Sequence, residues 1–439
     1  MRVAYLTAGA GGMYCGSCMH DNTLAAALLQ QRRDVVLLPV FTPTRTDETD
    51  VSRQSVHYGG INVYLQQRSG FFRRLPRFLD RWLDSPRLLR FLVRTPKGAD
   101  DLVGALTVSV LEGEAGAQKK ELERLVHYLE HIEPQLVVLP NAMFVGIASE
   151  LKRRLGVAVV CNLSGEDLFL ESLGEPHRSR ALDLVREGAR QVDAFVASNR
   201  YYADHCRELF EISGERVHVV PLGIKVDDLE ARGSAAPGDP FTIGFLARIC
   251  PEKGLHLLAQ AFEILASEGR DCRLLAGGYL SPAAKGYVED IGRRLGARGL
   301  HARFELRPDV DRHGKRELLR SMDVLSVPTE YRESKGLYLL EAGAAGLPVV
   351  QPRHGCFPEH VESTGGGLLF EPGDVKGLAA GLARLMDDAA LRRELGDKGR
   401  AAILAGSTDR HMAEKSWDLY ERCLRSQNEP VASRGRPSS

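Results

Sequence analysis

No run of this sequence comes near the ~20 consecutive apolar residues that a helix needs to cross a bilayer, so no membrane-spanning helix is expected. An excess of either charge is also missing. Lys plus Arg and Asp plus Glu both total 58, which leaves no overall field to gather nucleic acid. The opening MRVAYLTAGAGG has neither the basic nor the apolar region of a secretory signal, and a cytoplasmic protein is expected. Cysteines are few and scattered, several within apolar runs such as VAVVCNL, as buried free thiols are in a reducing compartment. Only Cys15 and Cys18 form a CxxC, and no second pair or His pair completes a zinc site, so no metal is expected. The glycine-rich turn AGAGG lacks both a Walker lysine and the clear acidic partner of a dinucleotide fingerprint.

What is present is length and alternation. At 439 residues the chain exceeds one ordinary core and fits two α/β domains and a tail. The first half carries RVAYLTA, DVVLLPVF, QLVVLP, VAVVCNL, AFVAS and VHVVPLG, with a first helix expected over 22–31. After the Pro-, Gly- and Ser-containing stretch 233–240, a second series begins with FTIGFLA and continues through CRLLAGG, ARFELR, DVLSVP and LPVVQP. Short β-branched runs separated by amphipathic helices indicate parallel strands covered on both faces. The expected fold class is therefore α/β, with two doubly wound Rossmann-like domains. Domain boundaries follow at 1–225, with a helical, basic insertion at about 68–130; a linker at 226–240; a second domain at 241–408; a terminal helix at 409–425; and a polar, disordered tail at 426–439. Ligands of such sheets bind beyond the carboxyl ends of the strands, and pockets favour domain interfaces.

The segment 331–350, YRESKGLYLLEAGAAGLPVV, sets Glu333 and Glu341 around a glycine-marked helix start. Free backbone N–H groups and a positive dipole end suit a phosphate, while carboxylates suit pairs of sugar hydroxyls. Phosphate beside sugar hydroxyls means a sugar nucleotide. Some eighty residues earlier, GFLARICPEKGLHLL places Arg248 and Lys253 between a strand and a helix. Fixed cations there could spread the charge that builds on a departing nucleoside diphosphate, standing in for a divalent metal. The bland alternatives are a solvent-exposed helix with a Glu in its first turn, and two surface cations at a helix start.

Together these motifs resemble glycosyltransferase family 4, the retaining nucleotide-sugar transferases in which a Glu, seven residues and a second Glu precede a PVV-like strand. The Arg, four residues, Lys-Gly pattern resembles the diphosphate clamp of that family. The resemblance implies a GT-B fold over nearly the whole chain, two domains facing across a cleft, and a terminal helix that crosses back to the first domain. It implies that Glu333 touches the donor sugar and that Glu341 holds the ribose hydroxyls. The backbone of Lys335, Gly336 and Leu337 would hold the distal phosphate, and Arg248 and Lys253 the diphosphate. Gly11 and Gly12 would face donor phosphate and acceptor. No cofactor is implied beyond the donor substrate, expected to be a UDP-sugar.

The first half departs from the family pattern. In CNLSGEDLFLESL the position usually held by a sugar-contacting His is Ser164, followed by Glu166 and Asp167. Ser164 or Glu166 would then contact the donor's hydroxymethyl group, or the donor is a different sugar; alternatively Glu166 or Asp167 could act as a base toward the acceptor hydroxyl, or Asp167 could cap a helix. In MYCGSCMHDNT, His20, Asp21 and Asn22 are acceptor-side candidates, with helix capping as the alternative for Asp21 and Asn22. Gly277 and Gly278 are expected to end a strand at the cleft edge, Gly355, Phe357 and Glu359 resemble the family's loop near the donor, and Pro221 and Gly223 are expected in a hinge. Residues 68–97 interleave arginines with Phe and Trp, a composition that could meet an anionic membrane surface or a lipid-linked acceptor, or simply pack as helices.

The expected activity is transfer of a sugar, hexosyl by resemblance, from a nucleoside diphosphate to a hydroxyl acceptor, metal-independent and retaining. A glycan, a lipid-linked compound or a small molecule could be the acceptor. A sugar-nucleotide epimerase, a phosphorylase or a non-catalytic sugar-nucleotide-binding protein on the same fold are the alternatives.

Overall fold

The computed structural model describes residues 1–9, 15–53, 56, 99–229 and 240–428. The chain divides into two compact units. One comprises Met1–Ser198, Tyr202–Pro221 and Met412–Ser439, the other Asn199–Tyr201 and Leu222–His411. Each holds a six-stranded, wholly parallel sheet.

In the first unit the strands are β1 (Arg2–Thr7), β2 (Asp34–Pro39), β3 (Leu136–Leu139), β4 (Ala158–Asn162), β5 (Ala194–Ala197) and β6 (Val217–Val219), ordered β2-β1-β3-β4-β5-β6. All four residues of β3 and all five of β4 are buried, as the near-continuous apolar runs of a parallel sheet covered on both faces are; the one polar member, Asn162, donates to the Tyr5 hydroxyl. Because β1 lies between β2 and β3, chain direction across the sheet reverses there. That reversal opens a crevice at the carboxyl ends of β1 and β3.

In the second unit β7 (Phe241–Leu246), β8 (Cys272–Gly278), β9 (Phe304–Pro308), β10 (Val324–Leu325), β11 (Val349–Pro352) and β12 (Gly367–Phe370) are ordered β12-β11-β10-β7-β8-β9. The reversal falls between β7 and β10, which pair through Ile243 with Val324 and Gly244 with Leu325. The turn after β7 and the segment after β10 therefore leave the sheet side by side, and these carry Arg248 with Lys253, and Glu333.

The terminal helix Asp409–Asn428 sends Met412, Ala413, Trp417, Leu419, Tyr420 and Cys423 into one core cluster with Val3, Tyr5, Leu24, Val138 and Val160. Ala413, Trp417, Tyr420 and Cys423 follow one another at three or four residues, the stripe one helix face presents. The first helix differs from expectation: it runs Gly16–Gln30, six residues earlier than expected, and takes in the polar MHDN segment. Burial of Cys18, Asp21 and Asn22 on its inner side explains how so polar a stretch stays helical. Asp21 and Asn22 are thus interior helix residues, and the capping alternative fails.

Candidate functional site

The clearest constellation stands at the β7/β10 reversal. A 3₁₀ turn, Pro251–Lys253, carries the Lys253 ammonium onto the carboxylate of Glu333. Only 11% of the Lys253 side chain and 8% of the Glu333 side chain reach solvent. Tyr331 and Tyr338 donate their hydroxyls to the same Glu333 oxygen, Oε2, at 3.2 and 3.1 Å. Their rings also face the ammonium, 5.0 and 5.4 Å from centroid to Nζ. The other oxygen, Oε1, is approached by the Lys335 amide at 3.5 Å. Burial alone would raise the Glu333 pKa, but the Lys253 charge, its hydrogen bond and that of Tyr338 outweigh burial and hold the carboxyl below its usual range.

Arg248 is exposed and interacts electrostatically with Cys250 and Tyr331, so it borders the same cluster. Tyr331 in turn feels opposing charges, with Glu333 raising its pKa and Arg248 lowering it. The two sequence motifs thus converge in space: Arg248, Lys253 and Glu333 meet around one tyrosine, Tyr331.

Behind them the helix Leu337–Ala344 opens at Gly336, whose φ of +68° puts it in the left-handed region that glycine alone enters freely. Gly336 and Leu337 therefore sit at the helix start, where amides have no intrahelical carbonyl to serve, and the Lys335 amide beside them faces Glu333 Oε1. Glu341, one turn in, pairs with Lys315 of the helix Arg312–Ser321 at 2.7 Å. Lys315 was not anticipated. It lies 26 residues from its partner, and nothing in the local sequence signals the pairing. Tyr331 and Tyr338 also escaped notice, although both flank Glu333 closely in the chain.

The loop after β11 supports the site from beneath. The Cys356 amide donates to the Glu333 carbonyl at 2.8 Å, Phe357 is buried, and Glu359 lies in the first turn of the helix Phe357–Thr364. Gly277 and Gly278 end β8.

In the first unit, Gly11 and Gly12 lie outside the described residues, as do residues 68–97 and most of the linker. Asp21 accepts from the Tyr5 hydroxyl at 3.0 Å, and Asn162 donates to that hydroxyl at 2.6 Å. Asn22 ties the following loop, donating to Thr49 O and accepting from Val51 N, both at 3.0 Å. These two side chains are spent on structure, which leaves His20, 3.1 Å from Asp21, as the acceptor-side candidate of that trio.

Glu166 is buried in the first turn of the short helix Glu166–Ser172. Its Oε1 accepts from Ala142 N at 3.0 Å and its Oε2 from Ser164 N at 2.6 Å, so it clasps the segments leaving β3 and β4. The Tyr202 hydroxyl is 2.8 Å from Glu166 and 2.9 Å from Asp167, and accepts the Gly165 and Glu166 amides. Such a carboxylate positions Ser164; the geometry speaks for anchoring and against the proton-transfer role expected of it. Asp167 follows the Gly165 cap rather than capping the helix itself.

No helix among the described residues is long and apolar enough to cross a membrane.

Two family models match the chain in succession, a glycosyl transferase 4-like domain over residues 22–223 and glycosyl transferases group 1 over 227–402. A D-inositol 3-phosphate glycosyltransferase of Xylanimonas cellulosilytica is 33% identical over 223 residues, covering 48% of this chain and 52% of the relative. An MMP alpha-(1->4)-mannosyltransferase of Mycolicibacterium hassiacum is 29% identical over 245 residues, covering 55% of this chain and 57% of the relative. The chain thus spans about half the length of the curated relatives it matches. Among solved structures, sucrose-phosphate synthase from Thermosynechococcus elongatus superposes with a TM-score of 0.71 at 17% identity, over 97% of this chain and 100% of that one. Anabaena Alr3699/HepE in complex with UDP gives 0.66 at 15% identity, over 96% and 100%. At these identities the likeness is one of fold, and the fold is GT-B.

Proposed function

Because the chain belongs to the glycosyltransferases that join a glycosyl transferase 4-like domain to a group 1 domain, we propose that it moves a sugar from a nucleoside diphosphate-sugar to a hydroxyl acceptor, with retention at the anomeric carbon. The observation that carries this reading is the Lys253–Glu333 contact beside the Gly336 helix start at the strand-order reversal of the second unit. Lys253 and Arg248 supply positive charge for the diphosphate, the amides of Lys335, Gly336 and Leu337 supply donors for its distal phosphate, and Glu341 takes the ribose hydroxyls. Glu333 gives its less engaged oxygen to the donor sugar.

When a diphosphate arrives, Lys253 has a second anion to serve. It is held in place by Glu333 and the two tyrosines, so little ordering is needed at the moment of reaction. As the bond from the sugar to the diphosphate breaks, negative charge grows on the leaving oxygens and Lys253 and Arg248 stabilise it. The leaving phosphate then takes the acceptor proton, which requires no side-chain base and agrees with Glu166 being occupied by backbone. A UDP-sugar is the donor we favour, and turnover is expected to persist in a chelator. A cytoplasmic location is supported by all eight cysteines being free thiols.

The test is a thermal-shift panel of nucleoside diphosphates and their sugars, followed by product analysis with the donor that binds. A stabilising diphosphate, lost in Lys253→Ala, and an α-linked product from an α-linked donor support the reading. An unchanged shift in Lys253→Ala refutes the clamp, and release of an epimerised sugar without acceptor assigns the epimerase alternative.

A further inference from the structure

The crevice of the first unit, at the β1/β3 reversal, holds a cavity of about 390 Å³, a size suited to a small ligand. Its walls are Phe41, Val103, Leu106, Met143, Phe144 and Phe169, with Ala8, Asn141 and Ser164 marking the ends of β1, β3 and β4. Phe41 and Phe144 pack as a tilted aromatic pair, ring centroids 5.0 Å apart.

Three features decide what such a cavity takes. First, its polar lining is largely turned away: Thr107 donates to Val103 O at 2.8 Å, Asn141 accepts from Met143 N at 3.0 Å, and both Glu166 oxygens accept backbone amides. Second, among the described residues that line it there is no Arg, Lys or His, and Glu166 is the one charged side chain. A phosphorylated acceptor calls for cationic donors, and an anion beside Glu166 would be repelled. Third, Val103 and Phe169 are 43% and 37% exposed, two of the few large apolar side chains among the described residues that face solvent, and both line this cavity. An apolar mouth opening on apolar walls is costly in water unless something apolar enters.

We propose that the acceptor is an amphiphile, a hydroxyl-bearing headgroup on an alkyl or acyl chain, and that this cavity receives the chain. The inference rests on the transferase reading above, in which the first unit selects the acceptor. The described lining differs from what the acceptor named for the D-inositol 3-phosphate relatives would call for, since no cationic side chain is among those residues. The headgroup hydroxyl would lie toward Ser164, at the strand ends, and the chain toward Val103 and Phe169.

The test uses the full chain and n-butyl, n-hexyl and n-octyl β-D-glucopyranoside below their micelle concentrations, with affinities from titration calorimetry. Affinity is expected to rise about fourfold per added methylene until the cavity is filled. Val103→Arg and Phe169→Arg alter exposed positions, so the fold should persist; each should flatten the chain-length dependence while leaving the thermal shift with UDP unchanged. Affinity independent of chain length, a dependence that survives both substitutions, or a sugar phosphate that binds more tightly than the octyl glycoside and competes with it, would each overturn the proposal. Chain-length-dependent binding without any response to nucleotide sugars would leave the cavity assignment standing and sink the transferase reading instead.

Discussion

Replacing Lys253 by Met removes the ammonium and keeps much of the stem, leaving Glu333 a buried carboxylate with two tyrosine hydroxyls and no countercharge. Breaking a buried pair from one side costs about 3–5 kcal/mol, because the remaining charge stays out of water. For a unit the size of Leu222–His411, that lowers the melting temperature by roughly 6–20 °C at about 2–4 °C per kcal/mol. The double change Lys253→Met with Glu333→Gln removes the stranded charge, and the tyrosine hydroxyls can still donate to the amide oxygen, so most of the loss should be recovered. Donor binding should behave differently. Saturating UDP at a hundred times its dissociation constant adds about 2.7 kcal/mol to the parent, and neither variant should gain it. Differential scanning calorimetry of the three proteins with and without UDP reads both quantities at once. A single mutant as stable as the parent would show that the pair is absent in solution, and a double mutant that still responds fully to UDP would show that Lys253 does not hold the diphosphate.

Since Glu333 is held below its usual range, its contribution to stability is present at neutral pH and lost as pH falls below the ordinary value of 4.5 through the folded value; Glu333→Gln should flatten the melting temperature over that interval. Gly355→Ala places a Cβ at a φ of +59°, 2.5 Å from the Glu333 amide nitrogen. About 1–2 kcal/mol of strain and a displaced Glu333 are expected, read as a lower melting temperature and a weaker UDP shift. Glu166→Gln cannot accept both the Ala142 and Ser164 amides, so it should cost about 1–3 kcal/mol in denaturant unfolding. If Glu166 were instead a catalytic base, turnover would collapse while stability held. Trp417→Ala should cost about 3–5 kcal/mol, since Trp417 is buried in the first unit's core, and a silent change would deny that the terminal helix packs there.

Much of the site was legible because it is local. A cation pair follows one strand and a glycine opens one helix, so each pattern is written in a few neighbouring residues. Residues that act across the fold left no such trace. Lys315 meets Glu341, and Tyr202 reaches back to Gly165, Glu166 and Asp167, through helix packing that no short spacing encodes. Glu166 misled for a related reason: a carboxylate after a strand reads the same in sequence whether its oxygens face a substrate or the amides of Ala142 and Ser164. For Asp21 and Asn22 both readings, acceptor-side contact or helix cap, stood open in the sequence, and the cap was excluded only by a helix that begins at Gly16.

By itself, then, the order of residues determined two series of parallel strands and the helices that cover them, since β-branched runs and amphipathic periods act over a few neighbours. It also determined which residues stand after β7 and before the Leu337–Ala344 helix. Only the tertiary structure decided that β7 and β10 are neighbours, and so that Lys253 and Glu333, 80 residues apart, share one charge cluster. Strand order is set by how whole layers pack, a sum over many distant contacts, and a linear pattern of side chains carries no record of that sum.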